Sequence, residues 1–78
     1  MQPNISKFAP GQFIRIKATE LFPEEYGKVT RVNEYNELCY DLYEGDDVWY
    51  ECKISIERWH DLIEILDIDE IQFLLLYG

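Results

Sequence analysis

From Gln12 to Ala18 apolar and polar residues alternate, with Phe13, Arg15 and Lys17 on one side and Ile14, Ile16 and Ala18 on the other. A period of two is that of a half-buried strand. Thr19 to Gly27 keeps neither strand nor helix period and is punctuated by Pro23 and Gly27, which predicts a long loop. Lys28 to Asn33 predicts a second strand with Val29 and Val32 as its apolar members, and Glu34-Tyr35-Asn36-Glu37 a turn. Leu38 to Tyr43 alternates again as a third strand. Glu44-Gly45-Asp46-Asp47 is the strongest turn signal in the chain, and Val48 to Ile54 follows as a fourth strand. Ser55 to Asp61 is short and polar, compatible with a turn of 3₁₀ helix, before a fifth strand over Leu62 to Leu66.

The two ends read differently. Residues 1–10 are polar with two prolines and predict an extended lead-in. At the other end Asp67 is placed as an N-cap with Glu70 three residues on, and Ile68, Ile71, Leu74 and Leu75 fall at helical spacing. The expected organisation is therefore a lead-in over 1–10, a five-stranded unit over 11–66 and a helix over 67–78 packed upon it. Phe73 to Tyr77 is apolar without a break, so the helix has more apolar surface than one contact can cover, and Leu74, Leu75, Leu76 and Tyr77 are a possible homodimer surface.

Register in the third hairpin decides which residues share a face, because a slip of one residue exchanges the two faces of a strand. Pairing Tyr43 with Val48 would set Cys39 opposite Cys52, but it mixes Leu38, Tyr40 and Leu42 with Glu51 and Lys53. Pairing Glu44 with Val48 instead sets Leu38 opposite Ile54, Tyr40 opposite Cys52 and Leu42 opposite Tyr50. The second register gives a continuous apolar face and is preferred. It leaves the cysteines unpaired, makes Cys52 a small buried hydrophobe, and places Tyr43 opposite Trp49 and Asp41 opposite Glu51 on the outer face.

Composition changes this picture in two ways. At 78 residues there is room for one domain, and 47% apolar with 15% aromatic residues is too many for a disordered chain. The net charge of -9 disfavours phosphate-backbone binding and anionic membranes. That charge is uneven: residues 1–33 carry five basic against three acidic side chains, a net of +2, and residues 34–78 two against thirteen, a net of −11. No charged and apolar leader or membrane-length apolar run is present, so a cytoplasmic location is the expectation.

Little in the chain carries chemistry. His60 with Cys39 and Cys52 lacks the paired spacings of a structural zinc site, so neither metal nor cofactor is expected. Asp46-Asp47 and Asp67, Asp69 and Glu70 are read as solvated turn and cap residues rather than catalytic carboxylates, and no enzyme is expected. The aromatic set Phe22, Tyr26, Tyr43, Trp49 and Trp59 is the best binding candidate, with Asp41, Glu44, Asp46, Asp47 and Glu51 as an acidic rim suited to cations.

Five short strands with a long loop after the first and a 3₁₀ turn before the last resemble the SH3-like small β-barrel family. Gly11-Gln12-Phe13-Ile14-Arg15-Ile16-Lys17, followed after a loop by Tyr26-Gly27-Lys28-Val29, is similar to the first hairpin of KOW-type domains. Glu44-Gly45-Asp46-Asp47-Val48-Trp49-Tyr50 is similar to the acidic turn and aromatic strand of signalling SH3 domains. The resemblance covers residues 11–66 and implies a mainly β fold: a five-stranded SH3-like barrel closed by a short C-terminal α-helix.

These features together predict a non-enzymatic protein-interaction module binding a basic or proline-containing protein partner through an aromatic and acidic surface. Two alternatives fit the same size and charge. One is an acidic inhibitor, such as an immunity or phage anti-defence protein, blocking a nucleic-acid-binding cleft by charge mimicry. The other is a small accessory subunit docked through Leu74 to Tyr77.

Overall fold

A computed structural model of the chain describes residues 8–77. Five antiparallel strands, β1 (Phe13–Ile16), β2 (Glu25–Val32), β3 (Glu37–Glu44), β4 (Asp47–Ser55) and β5 (Ile63–Leu66), form one sheet in the order β4-β3-β2-β1-β5. A short helix α1 (Ile56–Trp59) and a 3₁₀ turn (His60–Leu62) link β4 to β5, and α2 (Glu70–Tyr77) ends the described chain. The protein is thus mainly β. Among the described residues β4 and β5 do not pair with each other, so hydrogen bonds do not close the sheet. Residues 1–7 of the expected lead-in and residue 78 of the expected helix lie outside the described residues.

The inner face carries the main core of Phe8, Ile14, Ile16, Val29, Leu38, Tyr40, Ile56 and Ile63. Phe8, in the segment expected as lead-in, is buried within it. Gly27 is in β2 because nothing larger fits. A Cβ there would lie 2.6 Å from the Asp41 carbonyl oxygen and 3.0 Å from Cδ2 of Tyr40, whose ring crosses the bare backbone at this point.

The outer face is also covered, which alternation in β1 did not predict. Phe13 is buried along with Ile14 because α2 lies over it, with Phe73 fully buried and stacked on the Phe13 ring at 4.3 Å. Tyr77, one turn beyond Phe73, stacks on Tyr26 at 3.8 Å, and Tyr43 meets Phe73 edge-on at 5.1 Å. The helix thus docks through Phe73 and Tyr77, not through the expected stripe. Ile71, Leu74, Leu75 and Leu76 face outward, Leu75 with 81% of its surface exposed. The sheet offers α2 a wall of Phe13, Tyr26 and Tyr43, and ring stacking contributes about 0.5–1.5 kcal/mol per pair beyond area burial. Leucines would not gain that term.

The cap also differs from expectation. Asp69, not Asp67, closes the N-terminus: the Gln72 amide donates to Asp69 Oδ1 at 2.8 Å, and the Asp69 amide donates to Gln72 Oε1 at 3.3 Å. It is a reciprocal capping box moved two residues along.

Both registers considered for the third hairpin occur. Next to the turn Glu44 pairs with Asp47, Tyr43 with Val48 and Leu42 with Trp49, whereas further on Tyr40 pairs with Cys52 and Leu38 with Ile54. Tyr50 and Glu51 together oppose Asp41, forming a bulge in which Glu51 adopts φ 57° and its amide donates to Asp41 Oδ1 at 3.3 Å. The expected pairs Leu42 with Tyr50 and Tyr43 with Trp49 are therefore replaced, and Asp41 meets Glu51 only within the bulge. A two-residue turn at Gly45-Asp46 sets the first register, the apolar face of Leu38, Tyr40, Cys52 and Ile54 sets the second, and the extra residue reconciles them. Both cysteines are free, since Cys39 opposes Lys53. Cys52, expected as a buried hydrophobe, packs on the core but is only half-buried, and Cys39 is fully buried.

Candidate functional site

Strand pairing collects several elements at one end of the sheet. Ile16 opposes both Glu25 and Ile63, and Glu44 opposes Asp47. The 17–24 loop, the Gly45-Asp46 turn and the 3₁₀ turn before β5 therefore share that end. Six of the residues expected to bind a partner sit on or beside these segments: Phe22, Glu44, Asp46, Asp47, Trp49 and Trp59.

The others are placed elsewhere. Tyr26 and Tyr43 project from the outer face and are half-buried beneath α2, where burial raises both phenol pKa values. Asp41 and Glu51 lie at the bulge: the Asp41 carboxylate accepts from the Glu51 amide, and Glu51 lies 3.9 Å from the Arg31 guanidinium. A single outward patch built on Tyr43 and Trp49 does not form, because the observed register puts these two residues on opposite faces.

Trp49 is set by its partner. It opposes Leu42, whose side chain packs on the inner core, so Trp49 projects from the same face at the hairpin tip, past the last core layer. It remains 56% exposed, and its indole Nε1 donates to Glu44 Oε1 at 3.2 Å. The hydrogen bond satisfies the only polar atom of the indole and leaves ring surface open to solvent.

Glu25 completes this corner and was missed in the sequence, where it reads as part of the first loop. It follows Gly27 and Val29 backward along the inner face of β2, so it lies at the rim of the core beside Tyr40. Burial raises its carboxyl pKa and the nearby Glu44 adds to the rise, while a hydrogen bond with Tyr40 opposes it. Burial likewise raises the Tyr40 phenol and the Cys52 thiol, with Glu25 as a further cause in each case. The only available signal was period two extended back from Val29 through Gly27 to Glu25.

The remaining acids are divided between paired and unpaired. Arg15 bridges Glu24 and Glu64, Lys28 lies 4.0 Å from Glu70, and His60 lies 3.0 Å from Asp61. Among the described residues no cation comes within ion-pair distance of Glu25, Glu44, Asp46 or Asp47. Four acids without an ion-pair partner among the described residues thus lie at the corner that holds Trp49.

Phe22 and Trp59 form a separate pair, edge to face at 6.5 Å, on the 17–24 loop and α1. Trp59 is partly committed to the core, while Phe22 is exposed. Among the described residues no three His, Cys, Asp or Glu side chains are grouped as a metal site would need. No helix there is long and apolar enough to cross a membrane. Comparison with protein families, with curated proteins and with solved structures found no match in any of the three.

Proposed function

We propose that this domain is a non-enzymatic interaction module of the SH3-like barrel type that binds a basic segment of a protein partner at the β3–β4 hairpin tip. The long loop after β1 and the 3₁₀ turn before β5 support the barrel reading. One observation carries the functional reading: an exposed Trp49 indole is anchored to Glu44 in a corner with four carboxylates that have no ion-pair partner among the described residues. A lysine or arginine side chain placed there gains attraction from the ring and from Glu44, Asp46 and Asp47. It also relieves the crowding of Glu25 by Glu44.

The charge-mimic reading is less well supported, because Asp41 and Glu51 are engaged at the bulge instead of presenting free charge. The two readings part in a titration with the hexapeptide Arg-Thr-Arg-Val-Arg-Thr. Trp49→Ala should weaken binding about tenfold, roughly 1.4 kcal/mol. Asp46→Asn with Asp47→Asn should flatten its dependence on salt. A peptide that binds equally well to Trp49→Ala and is released by salt alone would overturn the proposal in favour of charge mimicry.

A further inference from the structure

Among the described residues strand β4 has a neighbour on one side only. β3 runs along one edge, and among the described residues no strand pairs with the other. An unpaired edge presents alternating N–H and C=O groups that another extended chain can complete. Along this nine-residue strand Asp47, Trp49, Tyr50, Glu51 and Lys53 are exposed, Tyr50 to 72%.

The bulge divides that edge into unlike halves. Glu51, at φ 57°, turns the backbone out of the extended conformation. Past it, Cys52 to Ser55 carries Lys53, while Cys52 and Ile54 pack on the core. Before it, Asp47 to Tyr50 carries Asp47 and Trp49 and follows directly on Glu44 and Asp46. A bulge and exposed charges discourage indiscriminate edge pairing, and here they confine an added strand to the acidic half.

Charge then selects the occupant. A second copy pairing β4 with β4 would set Glu44, Asp46 and Asp47 of each chain against one another in molecules of net charge -9. A basic segment meets complementary charge along the same edge. We propose that Asp47 to Tyr50 accepts an extended basic segment of a partner protein as a sixth strand, its backbone bonded to the free edge and its cationic side chains on Trp49, Asp46 and Asp47. The inference rests on the reading of Trp49 and its carboxylates as the binding site and adds the mode of binding: main-chain bonds supply affinity, and alternate side chains supply specificity.

The test uses Arg-Thr-Arg-Val-Arg-Thr and two versions of it N-methylated at the odd or at the even residues, titrated into the isotope-labelled protein. An added strand faces the edge with every second amide, so one methylated peptide should lose about tenfold or more in affinity and the other should bind nearly as well as the parent. Amides 47–50 should shift, and alternate ones among them should gain exchange protection. Equal affinity of all three peptides, equal loss in both methylated ones, or no binding of the parent would overturn strand addition. Equal affinities that still fall in Trp49→Ala would overturn strand addition alone and leave the Trp49 site standing. A protein that is dimeric without peptide, with amides 47–50 already protected, would assign the edge to a second copy and overturn the proposal.

Discussion

Phe13 and Phe73 lie ring on ring across the outer face of the sheet, with centroids 4.3 Å apart and planes inclined by 23°. This contact fixes which side of α2 is buried. An eight-residue helix is too short to persist alone in water, so α2 depends on the stack, on Tyr77 against Tyr26 and on its capping box. Phe73→Ala should therefore cost about 3 kcal/mol in urea unfolding. Leu75→Ala, on the exposed side, should stay within about 0.5 kcal/mol. Equal costs for the two substitutions would mean that the helix docks by its leucines instead.

The bulge at Tyr50-Glu51 gives an ordering opposite to strand propensity. Glu51 sits at φ 57°, where a β-branched side chain clashes and asparagine is tolerated. Glu51→Asn should be more stable than Glu51→Val by about 1–2 kcal/mol, read from denaturation midpoints at unchanged slope. Because both remove the exposed ion pair to Arg31, that interaction cancels in the comparison. A valine variant as stable as the asparagine one would place the extra residue elsewhere in the strand.

Glu25 gives a pH-dependent difference with a definite sign. Its folded pKa is raised above 4.5 chiefly by burial, so the folded state holds this proton more tightly than the unfolded state does. The stability linked to the proton is fully present below the unfolded value and is lost as pH rises through the raised folded one. Glu25→Gln, which keeps an acceptor for the Tyr40 hydroxyl, should be more stable than the parent at pH 7 and match it at about pH 4 and below. A variant less stable than the parent at neutral pH would mean that Glu25 is held as a favourable charge.

The strands and their order along the chain were legible in the sequence, because each has period two on at least one face and Gly, Pro, Asn or Asp at its ends. Three features were not. The burial of Phe13 needed knowledge of what covers the outer face, and that covering comes from a helix 57 residues or more away in sequence. The two register rules for the third hairpin each hold locally, and only a bulge satisfies both, a solution invisible when one register is sought for the whole strand. Glu25 was hidden because Gly27 reads as loop punctuation, whereas in the fold it makes room for the Tyr40 ring. The candidate site was half legible. The acidic turn and Trp49 stand out in the sequence, but the partition of the aromatics into Tyr26 and Tyr43 beneath α2, Phe22 on Trp59 and Trp49 in solvent follows from packing alone.

The proposed binding of a basic partner at Trp49 is tested most directly by following the two indole N–H signals of the labelled protein during titration with Arg-Thr-Arg-Val-Arg-Thr. Trp49 donates to Glu44 and is open to solvent, while Trp59 is packed between Phe22 and the core. The account predicts that the Trp49 indole signal moves in a saturable way, that the Trp59 signal stays in place, and that Trp49→Ala weakens the shifts of neighbouring amides. Movement of the Trp59 signal alone, or a fixed Trp49 signal at saturating peptide, would contradict it.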